Sequence, residues 1–200
     1  MEKENCVPNW SPTKYKNVHE WIEVINGEAF LFVKTVLDEC ESPIEELFAI
    51  GLCHELGLAS SKAADNYKNG QYGIHPQKTF EVDGSNYRVD FCIDKMSELK
   101  RKEYLYTRIA VECDGYEYHS SKEQIAYDHR RDTGLLLRHG LHVIRFTGAE
   151  LNDNPLECAR TAIAILDQIH SSGLRNIELG KKLAKESNGI KRNKGVEADE

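Results

Sequence analysis

The sequence predicts an α/β protein built on a mixed β-sheet, and three observations carry that prediction. From Tyr87 to Phe146 the chain runs YRVDFCI, RIAVECDGYEYH, EQIAYDHRRDTGLLLRHG and LHVIRF, which reads as strand, strand, helix, strand. Asp83-Gly84 ahead of the first of these is a hairpin turn signal. Upstream, Ser42-Pro43 with Glu45 three residues after the serine marks a helix start, and downstream Asn154-Pro155 introduces another helix.

Composition agrees with a single domain. Two hundred residues, 40% apolar and 30% charged, suffice for one well-buried core with peripheral decoration. We divide the chain into an N-terminal arm and helical cap (1–41), a core (42–170) and a polar, basic tail expected to be mobile (171–200). No apolar run approaches membrane-spanning length and MEKENCVPNW lacks a secretory pattern, so a cytoplasmic protein without membrane contact is expected. The six cysteines are scattered with no close pair, which indicates neither a zinc knuckle nor a disulfide framework. The net charge of −7 is uneven: residues 1–100 carry 10 basic and 17 acidic side chains, residues 101–200 carry 16 of each. A polyanion would therefore meet the second half, where Arg108, Lys122, Arg130, Arg131, Arg138 and Arg145 accompany the strand carboxylates.

In chain order, Pro8 and Pro12 punctuate a polar arm. Val18 to Leu37 fits two short amphipathic helices broken at Asn26-Gly27, the first fitting a strand equally well. The helix from Pro43 repeats Ile44, Leu47, Phe48, Gly51, Leu52 and Leu56 at helical spacing and stops at Gly57. Glu45 is explained there as a cap, and that end of the helix also suits a role beside the strand carboxylates. Ala59 to Gly73 reads as a loop, and Lys78 to Val82 as the first arm of the hairpin. Met96 to Tyr104 reads as a charged connection that lets the next strand return antiparallel. A helix follows from Ser121 to Arg138, ended by Gly140, on which Asp128 and Arg131 share a face. Leu141 to Thr147 then adds a parallel strand, and a last helix runs to about His170.

Charges within strands demand a reason. Alternation puts Ile109, Val111 and Cys113 on one face and Glu112 with Asp114 on the other. Likewise Tyr87, Val89, Phe91 and Ile93 form an apolar set with Asp90 opposite. If the two strands pair, these carboxylates converge, which requires a cation, a shared proton or good solvation. The plain alternative is that they mark the solvated rim of a sheet.

The order of Glu45 on a helix, a hairpin, Asp90 on a strand, Glu112-x-Asp114 on the next, then helix, strand and helix resembles the PD-(D/E)XK, or restriction-endonuclease-like, nuclease superfamily. SPIEELF, YRVDFCI, IAVECDGYEYH and AYDHRRDTGLLLRHGLHVIRF are most similar to its very-short-patch-repair and DUF559-type branch, over roughly residues 42–168. The resemblance implies a restriction-endonuclease-like mixed sheet flanked by helices, and a metal-dependent endodeoxyribonuclease. It makes Asp90 the central ligand of Mg²⁺, with Mn²⁺ as the other candidate, Glu112 its partner and Glu45 the helix carboxylate. His119 corresponds to a histidine that handles a proton or the leaving group. Gln77, Lys122 and Arg131 are candidates for phosphate or outer-shell contacts. Asp114 stands where the wider superfamily has lysine, which leaves Arg131 or Lys122 to supply positive charge. DNA is the expected partner, with a homodimer or a larger defence, repair or transposition complex as the possible setting. RNA cleavage by the same site, or a catalytically inactive nucleic-acid-binding or assembly subunit, are the alternatives.

Overall fold

The computed structural model describes residues 30–57, 72–99, 103–115 and 122–194. They form α1 (Phe30–Asp38), α2 (Pro43–Glu55), β1 (Tyr72–Val82), β2 (Ser85–Glu98), β3 (Tyr104–Asp114), α3 (Lys122–His139), β4 (His142–Thr147), α4 (Gly148–Asp153) and α5 (Pro155–Lys194). The N-terminal arm, the first amphipathic segment, most of the loop after Gly57, and Ser121, the expected start of the helix after β3, lie outside the described residues.

The strands make one four-stranded sheet in the order β1-β2-β3-β4. β1, β2 and β3 pair antiparallel, while β4 lies parallel to β3. A parallel neighbour cannot be reached by a tight turn, and α3 is the crossover that makes it possible. The hairpin turns at Asp83 and Gly84, with φ of 50° and 84°. Two successive positive-φ residues match the right-handed twist of the flanking strands. The strands are longer than the sequence patterns suggest. β1 begins at Tyr72 rather than Lys78, and Met96 to Glu98, read as connection, pair with Tyr104 to Tyr106.

Helices cover both faces of the sheet. On one side Phe91, Ile93, Ile109, Val111, Cys113 and Phe146 pack against α1, α2, α4 and α5 through residues such as Val36, Phe48, Leu151 and Leu166. On the other, Phe80, Val82, Val89, Cys92 and Ala110 pack with Leu135 of α3 and Leu141. Ile109, Val111 and Cys113 share a face as expected. The set Tyr87, Val89, Phe91 and Ile93 does not: Tyr87 and Val89 belong to the α3 side, and Phe91 and Ile93 to the opposite core. A strand that kept strict alternation would hold all four together. The face of β2 therefore switches between Val89 and Phe91, at Asp90.

The last helix also departs from expectation, continuing through His170 to Lys194. Ser171-Ser172-Gly173 suggests an end, but a side chain at Gly173 would lie 3.2 Å from Leu105. Close packing against β3 thus keeps the helix intact where propensity alone would weaken it. Among the described residues no helix is long and apolar enough to cross a membrane.

Candidate active site

The switch in β2 coincides with a gap in its ladder with β1 and with the end of its ladder with β3. β1 and β2 pair continuously from Tyr72↔Lys95 to Pro76↔Phe91 and from Lys78↔Val89 to Val82↔Ser85, skipping only Gln77 and Asp90. The β2–β3 ladder stops at Phe91↔Val111, so Asp90 and Glu112 stand opposite one step beyond the last pair. Glu112 in turn pairs with Arg145 of β4. Gln77, Asp90, Glu112 and Arg145 therefore form a row across the whole sheet, at neighbouring-strand separations of about 4.8 Å. Asp90 uses the opening: its Oδ2 accepts the Cys113 backbone N–H at 2.7 Å.

Helix α2 brings the next carboxylate. Ser42 is the N-cap, its hydroxyl accepting from the Glu45 N–H. Glu45 returns the bond through a variant of the expected box, accepting from the Ser42 hydroxyl at 2.6 Å and from the N–H of Glu41 at 2.9 Å. Phe48 lies on the same helical face, one turn on. Its ring packs 5.1 Å from Phe91 and 5.8 Å from Phe146, the neighbours of Asp90 and Arg145 in the chain. That docking delivers Glu45 to the row, where its Oε2 accepts from Gln77 Nε2 at 2.7 Å. Ser42→Ala is expected to cost about 1 kcal/mol by loss of the cap. Urea unfolding measures it, and an unchanged midpoint would show that the cap carries no stability.

Helix α3 and β4 supply cations. Arg131 bonds Glu112 at 2.9 Å and Asp132 at 3.3 Å, so its charge goes to these partners. Arg145 holds both Asp132 oxygens at 2.9 and 2.8 Å and lies 3.8 Å from Asp114. Asp132 was not among the expected site residues, and Arg145 was expected only as one of the basic side chains accompanying the strand carboxylates, although a charge inside the apolar strand LHVIRF was a usable signal for a closer role. Lys122 is exposed at the start of α3. The nine-residue step from it to Arg131 corresponds to about 13 Å of helix. His119 lies outside the described residues.

Charge is crowded here. Burial, then repulsion from Glu45 and Asp114, pushes the Asp90 carboxyl up to about 6 despite the Cys113 N–H and Arg131. Glu112, only 7% exposed, is pushed up to about 7 by burial, with Asp90 adding to the effect and Arg131 and Arg145 opposing it. Burial also raises Asp114. As these side chains stand, no group of three or more His, Cys, Asp or Glu among the described residues is gathered closely enough for a metal ion. Glu112 is engaged by Arg131, and Glu45 by Ser42, Glu41 and Gln77. Comparisons with family models, with curated proteins and with solved structures each returned no match.

Proposed function

We propose that the row on the sheet and the Glu45 end of α2 form the active site of a metal-dependent endonuclease that hydrolyses DNA phosphodiester bonds, on a restriction-endonuclease-like fold. The observation that carries this reading is the placement of Asp90 opposite Glu112 where β2 parts from β3, with Glu45 brought in by a separate helix. Helix carboxylate, central aspartate and second-strand acid are the roles that the resemblance in sequence implies for Glu45, Asp90 and Glu112.

The donor set fits Mg²⁺ or Mn²⁺, since carboxylate oxygens are hard ligands. Asp90 and Glu112 would hold the ion and Glu45 would complete the set. When bound, the ion supplies positive charge beside the scissile phosphate and makes water more acidic. Asp90 keeps its orientation through the Cys113 N–H, and Glu45 through Ser42 and Gln77. Glu112, bonded to Arg131 through Oε1, would exchange that partner for the ion. The freed guanidinium is then a cation for the phosphate, the role for which the sequence offers Asp114 instead of lysine.

One observation favours the noncatalytic alternative. The Arg131–Glu112 pair balances Glu112 without any ion. A cleavage assay with Mg²⁺ and Mn²⁺ on supercoiled, linear and mismatched duplexes, with labelled RNA alongside and Asp90→Ala as the blank, separates the readings. The expected result is cleavage of DNA that requires both the ion and Asp90. Binding of DNA with no ion-dependent product would leave the noncatalytic reading standing, and preferential RNA cleavage would change the substrate.

A further inference from the structure

Gln77 combines two features that ordinary strand residues lack. Its φ is 50°, in the left-handed region, although it lies inside β1 and away from any turn. Non-glycine residues adopt that conformation uncommonly, and Gln is not among those that tolerate it best. Its amide is also half used. Nε2 donates to Glu45 Oε2 at 2.7 Å, while Oε1 is a buried atom without a hydrogen-bond partner among the described residues. A carbonyl oxygen stripped of water and left unpaired is costly, and such groups in folded proteins call for a water, an ion or a functional explanation.

The position of the residue supplies the explanation. Gln77 is opposite Asp90, at the one place where the β1–β2 ladder is interrupted. The unusual backbone is what turns a strand residue towards Glu45, which belongs to a helix, instead of leaving its side chain to regular alternation. Strain of this kind persists where the surroundings hold it and is concentrated at functional sites.

Building on the metal-dependent reading above, we infer that Gln77 is a positioning residue whose Nε2 fixes Glu45 and whose Oε1 is an oxygen acceptor for a hydrated divalent cation at Asp90 and Glu112. An amide oxygen has the right chemistry for either source of positive charge, the cation itself or the hydrogen of a water that it carries. It adds no negative charge to a site already crowded with carboxylates. Its opposite end meanwhile stops Glu45 from turning away.

The test is Mn²⁺ binding by calorimetry to the full chain and to Gln77→Met, which keeps the length of the side chain but has neither the amide donor nor the amide acceptor. Gln77→Gly serves as the second variant because it relieves the positive φ. We expect both to bind Mn²⁺ about 10- to 100-fold more weakly. In EDTA, relief of the backbone strain should leave Gln77→Gly melting no lower than the parent, so that ion affinity and stability move apart. In the parent, Mg²⁺ should shift the NMR signals of the Gln77 side-chain NH₂ along the same saturation curve as binding. Mn²⁺ affinity equal to the parent in both folded variants, with Asp90→Asn abolishing binding, would overturn the role of Gln77 and leave the nuclease reading intact. A parent that binds no Mn²⁺ would overturn both.

Discussion

Asp90→Asn is expected to abolish ion-dependent cleavage and, in EDTA at pH 8, to raise the melting temperature. The activity loss should exceed 100-fold, because even outer-shell partners of metal ligands are worth about 10- to 100-fold. The stability gain follows from charge. Burial and the neighbouring acids push the Asp90 carboxyl up to about 6 and the Glu112 carboxyl up to about 7. Both therefore hold protons in the folded chain at pH values where the unfolded chain has released them, near 4. The stability linked to those protons is complete below that range and is lost as pH rises through about 6 and 7. Asparagine removes the Asp90 share while its amide oxygen can still accept from Cys113. We expect a gain of about 1–2 kcal/mol at pH 8, or roughly 2–8 °C, shrinking towards zero at pH 4.5. Calorimetry at the two pH values checks this, and a variant melting below the parent at pH 8 would remove the claim that this carboxylate is held at a cost.

Arg131→Met is expected to act in the opposite direction. It leaves Glu112 buried without the guanidinium that now lies 2.9 Å away. Breaking one side of a buried pair typically costs about 3–5 kcal/mol, and Glu112 can relieve part of that by taking a proton, so about 2–4 kcal/mol is expected at pH 8. At pH 5 Glu112 is already protonated in the fold, and the loss should be smaller. Mn²⁺ provides a second check. An ion that replaces Arg131 at Glu112 should raise the melting temperature of Arg131→Met more than that of the parent. Equal shifts would mean that the ion and Arg131 do not compete for this carboxylate.

The features set by neighbouring residues were legible in the sequence. The Ser42 cap, the Asp83-Gly84 turn, the parallel arrival of β4 and the common face of Ile109, Val111 and Cys113 all depend on local chemistry or simple periodicity. What escaped depends on tertiary context. The face switch between Val89 and Phe91 occurs where one strand leaves its partner, so alternation through Asp90 misassigned half of the apolar set. Pairing of Arg131 with Glu112 and of Arg145 with Asp132 joins different elements, which no sequence spacing encodes. The extension of α5 past Gly173 rests on contact with Leu105. Gln77 carries none of the turn chemistry that announces positive φ, and its place opposite Asp90 became evident only from the pairing.

The hairpin makes the spacing of this site unusually tolerant of some deletions and intolerant of others. Gln77 and Asp90 are equally distant from the Asp83-Gly84 tip, with arms of matching length between. Shortening both arms together by two residues keeps Gln77 facing Asp90 and preserves inward and outward directions in what remains. Losing a single residue from one arm confronts Asp90 with a different neighbour, so evolution can trim this ribbon in matched steps far more readily than one position at a time.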